Sequence, residues 1–305
     1  MDIGFLTGSL GGVPLEQLVP WAAQNGFASL EISTWPKSAM GGKLPRHIDA
    51  DAFTADDAAR VNDLLDEHGV RISAFAYFDN ILHGRKEKTA EHRRYLRNVI
   101  DAAALLGVDR VGTFVGGRPV NPDRNMKEIG VIFREVVAYA EDQGVRVMIE
   151  NCPMFNWVQF GIPGNYAFSP ELWDALFTEV PSDSFGLNLD PSHLLWLGID
   201  YLRATREYGS KVFHAHAKDV EMLPEGRYRY GSTWKQLDAD TWRSGWWRYK
   251  VPGDGEVDWA AFVAALREVG YDDVLSIEHE DDDFEGEAGV KAGLLKARQH
   301  LESAV

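Results

Sequence analysis

The stretch GVRVMIE, Gly144 to Glu150, decides how this chain is read. A glycine follows a helix-like segment, a short apolar run comes next, and the run closes on a carboxylate. In a strand, successive side chains point to opposite faces, so Val147 and Ile149 go one way and Met148 and Glu150 the other. Three more runs obey the same rule: SFGLNLD ends on Asp190, VFHAHA carries His216, and DVLSIE ends on Glu278. Leu187 and Leu189 oppose Asn188 and Asp190, Phe213 and Ala215 oppose His214 and His216, and Leu275 and Ile277 oppose Ser276 and Glu278. Polar groups at the same end and on the same face of several strands predict a site.

Outward from Gly144, the same unit recurs. Glycine opens GFASLEI at Gly26, GVRISAF at Gly69, GVDRVGTF at Gly107 and GYDDVLSIE at Gly270. Glycine just past a helix end is the usual left-handed cap, so the unit reads helix, glycine turn, strand. The early spacings are about 40 residues, too long for hairpins and right for a strand with a returning helix. Strands are predicted near 2–6, 28–32, 71–76, 110–115, 145–150, 184–189, 212–217 and 273–278. Helices are predicted over 15–25, 54–68, 85–106, 124–143, 169–179, 195–208, 258–269 and 286–303, with Thr54, Ser169 and Asp258 as N-caps. Eight alternating units without a Pro/Gly/Ser linker predict an α/β fold, a single-domain (β/α)8 barrel spanning 1–305. An open doubly wound sheet is the rival, but no G-x-G-x-x-G follows the first strand.

Composition narrows the function. The 305 residues are 45% hydrophobic and 26% charged, enough to bury a large core. The N-terminus MDIGFLTGSL reads as a strand with no basic, signal-like region, and no apolar run reaches membrane-spanning length, so a soluble cytoplasmic protein is expected. A formal net charge of −16 repels polyanions, which argues against nucleic acid as a partner. The basic stretch from Arg85 to Arg97 alternates with Glu87 and Glu91, as a solvated helix face does. The one cysteine, Cys152, excludes an intrachain disulfide and a cysteine-cage zinc site, leaving a buried inert thiol or a nucleophile.

Barrel enzymes carry their chemistry at the carboxyl ends of the strands. Glu150, Asp190, His216 and Glu278 would close strands five to eight, which are neighbours, so their side chains can converge. Three carboxylates together without a cation would repel and raise each other's pKa. A divalent metal removes that conflict, and an oxygen-rich set with one imidazole suits Mn²⁺, Mg²⁺ or Co²⁺ better than a structural zinc cage. The other reading is a hydrogen-bonded polar layer with no ion.

The segments MIEN, LDPSHLLWLGID, HAHAKD, GDGEVDW and LSIEHED, in this order and at these strand positions, resemble the sugar phosphate isomerase/epimerase superfamily with the xylose isomerase-like barrel. The resemblance covers nearly the whole chain and points to no single reaction. It implies metal ligation by Glu150, Asp190, His216 and Glu278, with Mn²⁺ first and Mg²⁺, Co²⁺ or Zn²⁺ as alternatives. It also implies that Glu150 and Glu278 move a proton next to a carbonyl, and that His193, completing Asp-x-x-His, contacts substrate or the ligand set. The implied activity is isomerisation or epimerisation of a keto- or aldo-sugar or cyclitol. The same proton abstraction with a leaving group β to the carbanion gives the alternative, a lyase or dehydratase such as one cleaving a 3-oxo-glycoside. A related three-metal endonuclease would need more histidine ligands and a basic face; a non-catalytic sugar-binding barrel is the remaining reading.

The segment from Val220 to Val257, about 37 residues, is long for a βα connection. It holds Tyr228, Tyr230, Trp234, Trp242, Trp246, Trp247 and Tyr249, which would form either a lid over a bulky sugar derivative or an oligomer interface. A small-molecule sugar and a homo-oligomer are the expected partners, with a small partner subunit if the enzyme is a lyase. Further substrate-binding candidates are Arg248, before GDGEVDW, and Lys218; salt bridges from Lys218 and Asp219 to neighbouring loops are the alternative. Glu31 and His83 are expected at the barrel mouth, and Trp35 as an apolar wall. His214 is expected one layer deeper, as a core imidazole or a functional one.

Overall fold

Each apolar run emerging from a glycine turn pairs with the next in chain order, and the last pairs with the first. The computed structural model describes residues 1–39, 43–118, 120–154, 164–232 and 245–305. The barrel strands are β1 (Asp2–Leu6), β2 (Ser29–Ser33), β3 (Arg71–Asn80), β4 (Arg110–Phe114), β5 (Arg146–Glu150), β6 (Phe185–Leu189) and β7 (Val212–Ala217). The inserted strands β8 (Asp219–Met222) and β9 (Trp247–Lys250) follow, and β10 (Val274–Ile277) completes the barrel. All barrel pairings are parallel, and β1 closes the ring through Asp2↔Val274 to Phe5↔Ile277. The predicted (β/α)8 barrel is therefore present as one domain.

The helices around it are α1 (Leu15–Gln24), α2 (Ala55–His68), α3 (Lys86–Leu105), α4 (Pro122–Asp142), α5 (Pro170–Glu179), α6 (Pro191–Leu197), α7 (Tyr201–Tyr208), α8 (Pro224–Tyr230), α9 (Trp259–Glu268) and α10 (Gly286–Leu301). Thr54 caps α2 in a reciprocal box with Asp57, and Asp258 caps α9 by accepting from the Ala261 N–H. Ser169 precedes α5 but makes no side-chain cap bond. Among the described residues, no helix is long and apolar enough to cross a membrane.

One predicted helix is two. Instead of a single helix over 195–208, α6 starts at Pro191, directly after Asp190, and stops at Gly198 with φ 76°. Asp200 then caps α7 by accepting from the Arg203 N–H. Proline at the first helical position and glycine just past the end set those limits. The earlier start puts His193 in the first turn above the barrel.

The main core lies between strands and helices, with Phe75, Val99, Phe133, Val147, Trp173, Phe185 and Phe262 buried there. Inside the barrel, Ala74, Met148 and Phe213 pack in a lower layer, and Leu6, Ala76, Phe78 and Phe114 pack in an upper one. Phe213 corrects the predicted alternation, because it shares the interior with Met148 and does not oppose His214. Between β6 and β7 the register steps from Leu187↔Val212 to Asn188↔His214, leaving Phe213 as the extra residue of a bulge. A similar step between β2 and β3 skips Ser73, whose hydroxyl reaches inward to His214. At the opposite end from the predicted site, Asp273 pairs with Arg71 and Arg110.

The long segment after β7 is built as a hairpin. Strands β8 and β9 pair antiparallel, Asp219↔Lys250 to Met222↔Trp247, with α8 beginning the connection between them. Trp246, Trp247 and Tyr249 are buried with Trp196 of α6, whereas Tyr228 is exposed. Trp234 and Trp242 lie outside the described residues.

Candidate metal centre and active site

Four strand ends deliver four candidate ligands to one place. Glu150 ends β5, Asp190 follows β6, His216 lies in β7 and Glu278 follows β10; each contributes a donor atom, and these atoms lie within 4.8 Å of one another. Glu150, Asp190 and His216 are buried, and the Glu278 side chain retains 14% exposure, enough to leave it facing the barrel mouth. His216 Nδ1 lies 3.0 Å from Glu278 Oε2 and 3.8 Å from Glu150 Oε1.

Donor chemistry tests whether a cation fits here. Asp190 Oδ2, His216 Nδ1 and Glu278 Oε2 are buried and lack a hydrogen bond of normal geometry among the described residues, although charged neighbours lie close: Lys218 Nζ is 3.2 Å from Glu278 Oε2 and His193 Nε2 is 3.3 Å from Asp190 Oδ2. Leaving such atoms unsatisfied in a protein interior costs about 1–3 kcal/mol each, more when charged. Three carboxylates plus one imidazole with free donor atoms turned together fit a divalent cation. Asp190 divides its work: Oδ1 accepts from the Ser192 N–H at 2.7 Å, capping α6, which leaves Oδ2 for the cluster.

The chain neutralises these carboxylates with its own cations as well. Burial opposes charge on Glu278, but Lys218 and His216 outweigh it and hold the carboxyl far below its usual range. Burial raises the Asp190 carboxyl, an effect that neighbouring His193 and Lys218 only partly offset. Burial disfavours the charged His216 ring, yet the carboxylates of Glu31 and Glu278 raise its pKa well above the ordinary histidine value. A divalent cation would displace protons from such a set, so metal binding is coupled to proton release.

Second contacts orient the ligands. Glu31 was expected at the mouth; it is instead fully buried beneath His216, with Oε2 2.9 Å from His216 Nε2 and 2.7 Å from Ser276 Oγ. A proton on Nε2 donated to Glu31 leaves the Nδ1 lone pair toward the cluster, the arrangement found around metal-ligating histidines. His214 lies one layer down, between Asn188 Oδ1 at 3.0 Å and Ser73 Oγ at 3.1 Å, and burial pushes its pKa down to about 3. It is a neutral core imidazole. Asn151 and Asn165 were missed as candidates. Asn151 exchanges two backbone bonds with Asp190, at 2.7 and 2.9 Å, while Asn165 donates to the Glu150 carbonyl at 3.1 Å. Asn151 sits within the quoted MIEN segment, whereas Asn165 had no local signal.

The remaining candidates separate by geometry. His193 is buried, with Nε2 3.0 Å from Glu150 Oε1 and 3.3 Å from Asp190 Oδ2. Lys218 is buried, with Nζ 3.2 Å from Glu278 and 2.8 Å from Glu280. Lys218 thus makes salt bridges to a neighbouring loop, the alternative set against substrate contact, while the Asp219 carboxylate accepts from the N–H groups of Val220, Gly253 and Val257 and from Trp259 Nε1. Trp35 joins the interior apolar layer with Phe78 and Phe114, beside Cys152 and Met154. Two candidates are held elsewhere. The Arg248 guanidinium bonds Glu221 across the hairpin at 2.6 Å, and His83 stacks on His92 at 6.0 Å, at the start of α3. Cys152 is partly buried and groups with Glu150 and His193; burial raises its thiol pKa, as for an unreactive cysteine.

Comparison with known proteins agrees with this architecture. The chain is 28% identical to an uncharacterized protein, YfiH, of Bacillus subtilis strain 168, over 99% of both chains. It is 25% identical to an inosose dehydratase of Geobacillus thermodenitrificans strain NG80-2, over 96% of this chain and 90% of the relative. A crystal structure of the IolI protein with a bound zinc atom superposes with a TM-score of 0.73 and 18% identity, covering 100% of this chain and 99% of the other. Residues 19–300 match the model of a protein family, and the chain belongs to it: the xylose isomerase-like TIM barrels.

Proposed function

We propose that the protein is a divalent-metal-dependent isomerase or epimerase of a keto- or aldo-sugar, a cyclitol ketone or a related derivative. The observation that carries this reading is the placement of Glu150 and Glu278, beside β5 and β10, with the His216 imidazole between them and their oxygens turned to one point with that of Asp190. Glu150, Asp190, His216 and Glu278 would hold the ion, and the oxygen-rich set favours Mn²⁺. When bound, the ion supplies Lewis-acid stabilisation of charge developing on the substrate oxygens.

The residues of the chain supply the rest. One glutamate removes the proton next to the carbonyl, and the other, from across the lumen, returns it. Return to the opposite face of the same carbon epimerises it, whereas return to the neighbouring carbon isomerises it. His193 bridges Glu150 and Asp190, which keeps the proton-moving carboxylate aimed. Lys218 holds Glu278 ionised.

A dehydratase or lyase is the second reading. Similarity to an inosose dehydratase over nearly the whole chain supports it. A panel of ketoses, inososes and 3-oxo-glycosides incubated in D2O with Mn²⁺ separates the outcomes. Deuterium at the carbon next to the carbonyl with the skeleton retained indicates epimerisation or isomerisation, and loss of water or an aglycone indicates the lyase. Both should vanish in Glu150→Gln and with chelator; turnover that survives chelation refutes the mechanism.

A further inference from the structure

The inserted hairpin packs against the helix that carries His193. Tyr249 and Trp247 are two residues apart on β9 and so share one face, while His193 and Trp196 are three apart on α6 and share one helix face. These two faces meet at two points. The Trp196 and Trp247 rings stack at 4.7 Å with planes 11° apart, and the Tyr249 ring meets His193 edge-on at 5.7 Å, placing its hydroxyl 3.2 Å from His193 Nδ1. Nε2 of that same imidazole is the nitrogen facing Glu150 and Asp190. Tyr249 also lies under Lys218, whose Nζ is 4.1 Å from the ring centroid.

The other face of β9 holds the strand in place. Arg248 bonds Glu221, Lys250 bonds Asp281, and the buried Asp219 collects donors from both ends of the insertion. Tyr249 is 2% exposed, so its hydroxyl is withdrawn from bulk water and fixed by the hairpin. We infer that Tyr249 is a positioning residue of the active site: it orients the His193 imidazole through Nδ1, and so sets how Nε2 braces Glu150 against Asp190. The inference deepens the proposed metal-dependent reading, since it gives His193 its bearing on the ligand set. The hairpin thereby contributes to the ligand arrangement from outside the barrel strands.

Tyr249→Phe removes only the hydroxyl and keeps the packed ring. Two measurements on the full chain test its role. The first is the imidazole ¹⁵N spectrum of His193, assigned by its loss in His193→Asn. The Nδ1 resonance is expected to move in Tyr249→Phe, while that of His214, bonded to Asn188, stays in place. The second is Mn²⁺ affinity followed by electron paramagnetic resonance. Loss of a direct partner of a metal ligand weakens binding about ten-fold or more, and Tyr249 acts one contact further out, so a measurable weakening of less than about ten-fold is expected. Once His193→Asn has been made, Tyr249→Phe should add nothing, because its effect passes through that ring. An unmoved His193 Nδ1 resonance in Tyr249→Phe overturns the inference. So does a penalty that remains whole in the His193→Asn background. Absence of Mn²⁺ binding by every form would count against the metal reading and leave the nitrogen spectrum to decide the role of Tyr249.

Discussion

Replacing Glu31 with glutamine probes how the ligand set is aimed without altering a ligand. Glu31 Oε2 accepts from His216 Nε2 at 2.9 Å and from Ser276 Oγ at 2.7 Å, and the residue is wholly buried. Glutamine has almost the same shape, so the packing survives and the carboxylate charge is lost. A hydrogen bond to a charged group is worth about 1.5–3 kcal/mol and a neutral one about 0.5–1.5, so the imidazole loses about 1–1.5 kcal/mol of orientation. At about 1.4 kcal/mol per factor of ten, this predicts Mn²⁺ binding weaker by about ten-fold, at the lower edge of what second contacts to metal ligands usually contribute. Ser276→Ala keeps the carboxylate and removes one of its two donors, so its effect should be a fraction of that. Isothermal titration of the metal-free forms with Mn²⁺ at one fixed pH, alongside thermal unfolding, measures both. Glu31→Gln binding with unchanged affinity would refute a role for Glu31 in aiming His216.

Two more predictions concern the scaffold. Asp219→Ala strands four donors at the base of the hairpin, three of them buried, and should lower stability by about 3 kcal/mol in urea unfolding, with Asp219→Asn losing less; equal stability of the alanine form would contradict the anchoring role. At the closed end, burial resists ionisation of Asp273, but Arg110 and Arg71 outweigh it and hold its carboxyl below the usual range. A carboxyl lower in the folded than in the unfolded chain adds stability above the unfolded pKa and loses it as pH falls through the folded one. Below about pH 4, urea midpoints should therefore fall less steeply for Asp273→Asn than for the parent, and identical slopes would rule out this contribution.

The barrel and the convergence of its four strand-end groups were legible because both depend on period-two alternation and glycine-ended helices, which are local properties. Phe213 escaped that logic. A bulge adds a residue by virtue of what lies across the strand, and no pattern within VFHAHA announces it. Glu31 lies on the inward face of β2, as alternation requires, but its depth relative to His216 depends on the stagger between strands that are not neighbours. Arg248 found Glu221 because hairpin register places them opposite each other. The break between α6 and α7 was within reach of the sequence: proline after Asp190 and the glycine at 198 are ordinary helix punctuation. The link from Tyr249 to His193 spans 56 residues and two elements, and a reading confined to single runs cannot supply it.

The tie between Glu31, His216 and Ser276 also has a temporal meaning. It joins β2 to β7 and β10, across sequence separations of 185 and 245 residues, and the seam between β1 and β10 lies on the path between them. Such distant contacts carry the largest loop-closure cost and form only after the intervening elements have assembled. During synthesis, therefore, a chain halted before β10 can hold most of its barrel strands and still lack an aimed His216 and one of its four ligand donors. If the proposed site holds a cation, that competence becomes the molecule's own record that its ring has closed.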